Sequence, residues 1–173
     1  QVLQIARSFV PGGLGGWVIY NKSLPMAPLA LTIEAHERVS SQGEVVTPLD
    51  EAKLREDLRA LCTRKIEALT VSLINAFSND RHEQRIKQIT QEELPGIPVS
   101  LSSEVVPEMQ EYERTVTTVA NSYVRPRVQK YVHNLKTKLD AKTKNVKLHI
   151  LRSDGGLASA RSAEDFPVNL LMS

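Results

Sequence analysis

Short runs of serine, glycine and charged residues follow the apolar segments of this sequence, and they are the places where chemistry could occur. Ser153-Asp154-Gly155-Gly156 directly follows an alternating segment at 146–150 that is typical of a strand. Its two glycines permit close approach of backbone N–H groups to an anionic or carbonyl ligand. An ordinary turn at the end of a strand fits the same residues equally well, so the pattern leaves both interpretations open.

A second group of polar residues surrounds the start of a long helical pattern. Glu104 follows an apolar segment at 97–101, and Arg114 and Thr115 lie just inside the long helix. Arg114 is a candidate partner for a carboxylate or phosphate, and its neighbours could line a polar cleft. The acidic residues that precede it also have a structural explanation, since negative charge at a helix start offsets the helix dipole. From the pattern alone, the structural explanation is favoured.

Other kinds of chemistry are not supported by the spacing. The glycine-rich segment at 12–16 lacks the Gly-Lys-Ser/Thr ending of a P-loop, so a flexible or partner-contacting loop is expected there. The four histidines form no HxxH pair, which predicts no metal site. Cys62 is expected to be a small core residue. No nucleophile-elbow motif is present, and the catalytic residues remain unassigned.

The N-terminal part of the chain is predicted to be irregular. Residues 1–46 read as an extension with short strands, one at 18–20, and with a strand-turn-strand pattern over 32–46. Residues 47–160 are expected to form an α/β domain, and residues 161–173 to begin a further, truncated segment. Thr47 is predicted to cap the first helix of the α/β domain.

The segments that would position the candidate residues alternate between strand and helix. Strands are predicted at 68–74, 97–101 and 146–150, with helices at about 80–94 and 112–141. This order predicts a mostly parallel sheet with right-handed crossover helices.

Apolar residues at helical spacing give each predicted helix a buried stripe. The stripes are Leu54, Leu58 and Leu61, then Ile86, Ile89 and Leu94, and in the long helix Val116, Val119, Tyr123, Val128, Tyr131 or Val132, Leu135 and Leu139. Pro126 lies within the long helix and should kink it or split it.

The composition is that of a folded domain with no specialised surface. The chain has 173 residues and a net charge of +2 from 22 basic and 20 acidic side chains. Because the charges are interspersed and only 5% of residues are aromatic, no surface for nucleic acid or an anionic membrane is expected. A single cysteine and the absence of an apolar run of about 20 residues predict a cytoplasmic protein.

Several consecutive motifs, taken in order, resemble one known family. They are GEVVTPLD at 43–50, NAFSN at 75–79 with HE at 82–83, PVSLSSEV at 98–105, EYERT at 111–115 and RSDGGL at 152–157, followed by LLMS at 170–173. Together they resemble the hydantoinase A / 5-oxoprolinase family, which includes ATP-dependent acetone and acetophenone carboxylase subunits. The family commonly has Gln-Ser-Asn-Gly-Gly where this chain has Arg-Ser-Asp-Gly-Gly, which leaves a role for an asparagine amide at 154 in doubt.

The resemblance implies a fold and an activity that spacing could not supply. It implies an actin-like (ribonuclease H-like) ATPase fold that uses ATP with Mg to activate a carbonyl or amide. The reaction would open a cyclic amide of the hydantoin or 5-oxoproline type, or carboxylate a ketone. A hydantoinase B-type subunit or domain is the implied partner. The alternative is a non-catalytic α/β module that docks a partner subunit.

The resemblance also suggests candidate site residues. Ser153, Gly155, Gly156 and Ser173 are candidates for cofactor binding, and Glu104, Arg114 and Thr115 for a substrate cleft shared between the strand ends. The family's phosphate-binding glycine motifs lie before residue 1 and from Ser173 onwards. This chain is therefore expected to be an inactive fragment that binds no cofactor by itself.

Overall fold

Residues 2–5, 24–143 and 147–171 are described by the computed structural model, and they form short strands and helices in alternation. The helices are α1 (Val2–Ile5), α2 (Glu51–Cys62), α3 (Arg81–Glu93), α4 (Ser102–Val105), α5 (Glu111–Lys142) and α6 (Ala160–Asp165), with 3-10 turns at Leu29–Leu31 and Pro167–Leu170. The strands are β1 (Arg38–Val39), β2 (Val45–Thr47), β3 (Leu69–Val71), β4 (Val99–Leu101), β5 (His149–Leu151) and β6 (Leu157–Ser159). The predicted loop at 12–16 and strand at 18–20 lie outside the described residues.

The strands pair in three separate two-stranded sheets. β3 and β4 are parallel, whereas β1–β2 and β5–β6 are antiparallel hairpins. The mixed α/β class is confirmed, but the prediction of a mostly parallel sheet is wrong for the described residues. The strand predicted at 146–150 corresponds to β5, which pairs with β6 because a short turn closes a hairpin at little entropic cost.

The face of the β3–β4 pair that contacts α2 and α3 is apolar, as predicted. Leu58 and Ile89 are fully buried there and pack in one cluster with Val71, Val99 and Leu101. Full burial of each such side chain stabilises the fold by about 1.5–3 kcal/mol. Helical and strand periodicity together therefore determine this half of the core.

Ion pairs join the exposed sides of α2 and α3. Arg55 and Arg59 of α2 both bind Glu93 of α3, at 2.8 and 2.7 Å. Hydrogen bonds from Arg59 and then Arg55 lower the pKa of Glu93 to about 2. The carboxylate therefore keeps its charge, and the link between the helices, well below the usual pKa of a glutamate.

The opposite face of the β3–β4 pair contacts α5 through polar groups, which corrects part of the predicted apolar stripe, although Val119 and Val132 of that stripe are buried. The Thr70 hydroxyl donates to the Ser122 hydroxyl at 2.6 Å, and the Ser72 and Thr115 hydroxyls are 2.7 Å apart. The outward residue of the predicted stripe, Tyr123, is 67% exposed. The strands present hydroxyls on this side, and a helix that buries hydroxyls satisfies them.

Three local predictions are also corrected. Residues 32–35 are not a strand, because pairing begins at Arg38. Cys62 is exposed, since it is rotated one residue away from the buried Leu61 on α2. Pro126 does not split α5, which continues through it as one helix of 32 residues, and the alternative of a kink stays a prediction.

The N-cap of α2 lies three residues after the predicted one. Asp50, not Thr47, is the N-cap, and its Oδ1 accepts a hydrogen bond from the Lys53 N–H at 3.0 Å. Thr47 instead belongs to β2, where its side chain is exposed.

Replacing Asp50 with alanine is expected to lower the free energy of unfolding by about 1 kcal/mol, because an orphan N–H of the first turn loses its acceptor. Thr47→Ala is the matched control and should change stability by less than about 0.5 kcal/mol. Urea denaturation of both variants checks this. A larger loss of stability in Thr47→Ala than in Asp50→Ala would show that Thr47 is the N-cap, as predicted from the sequence.

Candidate functional site

A fully buried carboxylate links the residues that follow the C-terminal ends of β3 and β4, which we call the strand exits. Glu83 of α3 has 0% exposure and accepts hydrogen bonds from the Leu73 N–H at 2.9 Å and the Ser102 hydroxyl at 2.6 Å. The Ser103 N–H and hydroxyl also donate to it, at 2.9 and 2.8 Å. All four partners are donors, as an acceptor-only carboxylate requires. Glu83 therefore fixes both strand exits.

Sequence reasoning did not single out Glu83, although a signal was available. Glu83 lies three residues before Ile86, and residues three apart share one face of a helix. Because Ile86 and Ile89 mark the buried face of α3, an acidic residue in line with them must be buried and bound by donors.

Arg114 holds the β3 exit from the other side. It is 1% exposed, and its guanidinium donates to the Leu73 carbonyl at 2.6 Å and the Glu108 carbonyl at 2.8 Å. The same group lies 5.5 Å from the ring centre of Phe77. Burial lowers the pKa of Arg114, and the negative charge of Glu83 acts in the opposite direction. Glu83 and Arg114 thus bind the N–H and C=O of the same residue, Leu73.

Thr115, a further predicted cleft residue, is also engaged inside the fold. Its hydroxyl donates to the Glu111 carbonyl at 2.7 Å and contacts the Ser72 hydroxyl. Arg114 and Thr115 therefore lie at the predicted strand exit, with their polar groups bound to neighbouring parts of the chain. This arrangement favours a positioning role for both.

Glu104 lies in a cleft of about 410 Å³ between α3, β4, α5 and α6. Its carboxylate binds the Lys87 ammonium at 2.9 and 3.0 Å. The residues that line the cleft are Lys87, Gln91, Ser100, Glu104, Val105, Arg125, Arg161, Asp165 and Phe166. Of the predicted site residues within the described part of the chain, Glu104 alone lines it. The lining carries three cations and two carboxylates, of which Lys87 pairs with Glu104 and Arg125 with Asp165.

Arg125 of α5 lines the cleft, and the buried Asn121 of the same helix binds two residues that line it, Ser100 and Asp165. Arg125 donates to the Val99 carbonyl at 2.7 Å and to Asp165 at 2.6 Å. Asn121, with 0% exposure, donates to the Ser100 hydroxyl at 3.1 Å and the Asp165 carbonyl at 3.0 Å. α5 thereby joins β4 to α6.

The predicted ligand loop at 153–156 is the turn between β5 and β6, apart from this cleft. The Gly155 N–H donates to the Arg152 carbonyl at 3.0 Å, and the Gly156 N–H to the Asp154 side chain at 2.9 Å. The Ser153 N–H and hydroxyl both donate to the Asn169 carbonyl. Among the described residues, the three predicted strand exits therefore do not gather along one edge of one sheet, and the shared cleft stays a prediction. Ser173 lies outside the described residues.

The described residues contain neither a metal cluster nor a membrane span. No group of three or more His, Cys, Asp or Glu side chains there is placed to hold a metal ion. Within the same part of the chain, no helix has the length and apolar character needed to cross a membrane.

Two family regions cover most of the sequence. Residues 7–94 match the hydantoinase/oxoprolinase N-terminal region, and residues 114–173 match the region described as hydantoinase/oxoprolinase. The chain belongs to the hydantoinase/oxoprolinase family. The resemblance recognised from the motifs is therefore confirmed.

Related proteins of known sequence and structure are much longer than this chain. The acetophenone carboxylase gamma subunit of Aromatoleum aromaticum is 37% identical over 145 residues, which is 81% of this chain and 20% of that subunit. The ATP-dependent caprolactamase of Pseudomonas jessenii superposes with a TM-score of 0.82 and 25% identity, over 96% of this chain and 25% of that chain. Nucleotide-free acetone carboxylase superposes with a TM-score of 0.79 and 25% identity, over 89% of this chain and 22% of that chain. The chain thus spans about a fifth to a quarter of the length of these relatives.

The two family regions meet at the residues that hold the β3 exit. Glu83 belongs to the first region and Arg114 to the second, and both bind Leu73. In this member of the hydantoinase/oxoprolinase family, the buried charges therefore connect the regions through a single peptide segment.

Replacement of Asn121 tests how strongly its amide joins α5 to β4 and α6. Asn121→Asp is expected to lower the free energy of unfolding by about 2 kcal/mol, because a carboxylate oxygen would face the Asp165 carbonyl where the amide N–H now donates. Asn134→Asp, at an exposed position of the same helix, is the matched control. Thermal unfolding of both variants measures the difference, and equal shifts of the melting temperature would show that the Asn121 amide does not stabilise this contact.

Proposed function

We propose that this chain is part of a longer ATP-dependent enzyme that activates the carbonyl group of a small substrate. The reaction opens a cyclic amide of the hydantoin or 5-oxoproline type, or carboxylates a ketone. The observation that carries the proposal is the likeness of 96% of the chain to a caprolactamase described as ATP-dependent, within a family that the sequence matches over both regions. Because the chain spans a quarter of that relative or less, we expect no turnover by the chain alone.

The residues of this chain support the enzyme by fixing its framework. Glu83 and Arg114 hold the exits of β3 and β4, and the adjoining cleft around Glu104 carries the charges that could face a polar substrate. In the longer protein we expect the actin-like ATPase fold, in which the β3–β4 pair would extend into a larger sheet. The division at 46/47 and 160/161 and the cytoplasmic location stay predictions.

The described residues do not provide a phosphate cradle that is ready for ATP. The Gly155 and Gly156 N–H groups, the natural donors to a phosphate, are already bound within the β5–β6 hairpin. Cofactor binding by Ser153, Gly155, Gly156 and Ser173 stays a prediction, and for the glycines it requires the turn to open. We therefore expect residues of the longer protein to hold ATP and Mg, where ATP would supply the energy for carbonyl activation.

A companion subunit is part of the proposal. The relatives include proteins named as a carboxylase gamma subunit and a caprolactamase alpha subunit. We propose a hydantoinase B-type subunit or domain as the partner of this chain.

The proposal is tested on the longer protein with its companion subunit. ADP release is measured with caprolactam, 5-oxoproline, hydantoin, and acetone or acetophenone with bicarbonate. The expected result is ATP hydrolysis that one of these substrates stimulates. Nucleotide binding is measured in parallel by calorimetry. If the assembled protein binds no ATP, the proposal is wrong and the non-catalytic docking module becomes the better description.

A further inference from the structure

The second half of α5 carries a positively charged face that neither the cleft nor the strand exits use. We call it the basic face and define it by six exposed side chains: Tyr123, Arg127, Lys130, Tyr131, Lys138 and Lys142. At 3.6 residues per turn, these positions fall within an arc of about 120°. Asp140, the only acidic residue between 123 and 142, lies outside that arc. The charges are interspersed along the sequence, as predicted, but the helix collects four cations on one side.

Among the described residues, the cations of the basic face have no carboxylate partners of the kind that other cations have. Arg55, Arg59 and Arg85 all bind glutamates within 2.5–2.8 Å on the exposed sides of α2 and α3. Within the described part of the chain, no carboxylate lies within 4 Å of the four cations of the basic face. Lys138 and Lys142, one turn apart, repel each other and destabilise an isolated helix by about 0.2–0.5 kcal/mol. Among the described residues, the cations on this side of α5 therefore have no carboxylate partner, whereas the arginines on α2 and α3 have one.

Beyond Arg125, which binds β4 and α6, the same part of α5 buries few side chains against the rest of the described chain. Between residues 123 and 142, Val132 is the one fully buried side chain, whereas the first half of the helix buries a continuous polar face. Twenty helical residues extend about 30 Å. Tyr123 and Tyr131 present their rings on the basic face with 67% and 66% exposure.

We propose that the basic face is the docking surface for an acidic surface of the companion subunit, a proposal that rests on the proposed function. Tyrosine and arginine are enriched among the residues that dominate binding energy at protein interfaces. Four unpaired cations select a partner by charge and steer its association. The tyrosines supply the apolar contact area between them.

Nucleic acid and membranes fit the basic face less well. A net charge of +2 for the whole chain gives no extended positive surface beyond this one helix. Leu135 and Leu139 lie beside Lys138 and Lys142 at the edge of the basic face, but the face carries no Phe or Trp that could anchor it in a bilayer, whereas interfacial helices bury such residues. A protein surface that offers carboxylates around an apolar centre matches both the tyrosines and the lysines.

The test uses the longer protein and the hydantoinase B-type subunit, purified separately and mixed. The variant Lys138→Glu/Lys142→Glu is expected to weaken assembly about tenfold, measured as Kd by calorimetry at low salt. The matched control is Lys136→Glu, which changes an exposed lysine on the opposite side of the same helix and should leave Kd within about twofold. Raising the salt concentration should weaken the wild-type complex more than the double variant.

Three outcomes would overturn the proposal. Unchanged affinity of the double variant, or an equal loss for Lys136→Glu, shows that the basic face does not contact the companion. A lower melting temperature of the longer protein, with assembly unaffected, shows that the face packs on another part of the same polypeptide. Wild-type binding to duplex DNA or to phosphatidylserine vesicles that the double variant loses, with assembly intact, assigns the face to that ligand instead.

The same preparations separate this inference from the proposed function. If the wild-type complex assembles through the basic face but hydrolyses no ATP with any substrate, the docking surface stands and the enzymatic proposal fails. If the complex hydrolyses ATP and the charge reversals leave Kd unchanged, only the docking surface fails.

Discussion

Glu83→Gln is expected to lower the free energy of unfolding by about 3 kcal/mol, although glutamine has the same shape and volume. The carboxylate now accepts four hydrogen bonds, from Leu73, Ser102 and Ser103. An amide would turn an N–H group toward donors and leave at least one buried donor without an acceptor, which costs about 1–3 kcal/mol for each unsatisfied group. Chemical denaturation of the wild-type and variant proteins measures the loss.

Glu92→Gln on the same helix is the matched control. Glu92 binds Arg55, but its side chain is 51% exposed, and exposed ion pairs contribute about 0–1 kcal/mol. Hydrogen exchange provides a second measurement, because the Leu73 and Ser103 amides should lose protection in Glu83→Gln and keep it in Glu92→Gln. A loss at Glu83 no larger than at Glu92 would show that the carboxylate does not hold the strand exits.

The apolar half of the fold could be predicted because it depends on local periodicity. Leu54, Leu58 and Leu61 recur at helical spacing, and Ile86 and Ile89 do the same on α3. Each stripe predicts a buried face without knowledge of the packing partner, since an amphipathic helix has one apolar side to bury. The structure confirms both.

The polar half could not be predicted in the same way. Arg114 and Asn121 are buried on α5 because the residue Leu73 after β3 and Ser100 of β4 present a complementary carbonyl and hydroxyl. These partners lie 21 to 41 residues away along the chain. Burial of a polar side chain is favourable only when its partner is present, so the sequence of α5 alone does not carry the information.

The parallel pairing predicted for the third strand was wrong for a related reason. An alternating segment at 146–150 is equally suited to a parallel sheet and to a hairpin, and the turn after the strand decides between them. Gly155 adopts a φ of +83°, which lets the chain reverse and pair Leu151 with Leu157. The glycine pair was recognised in the sequence, and its role as a turn was one of the two interpretations left open.

Arg114→Ala is expected to lower the free energy of unfolding by about 4 kcal/mol, the largest effect proposed for a single residue. The substitution removes the donors to the Leu73 and Glu108 carbonyls and leaves the buried Glu83 without a neighbouring positive charge. Removal of one partner from a buried charged network costs about 3–5 kcal/mol. A variant so destabilised cannot report on activity alone, so the candidate cleft role of Arg114 stays a prediction.

Arg127→Ala, at an exposed position of the same helix, is the control for loss of an arginine and should change stability by less than about 0.5 kcal/mol. Arg114→Lys keeps the charge but loses the two-donor geometry, so an intermediate loss is expected. A double-mutant cycle with Glu83→Gln should give a coupling energy of about 1 kcal/mol, since both side chains act on Leu73. Additive losses would mean that the two buried charges stabilise the β3 exit independently, and the connection between the family regions would then not depend on this peptide segment.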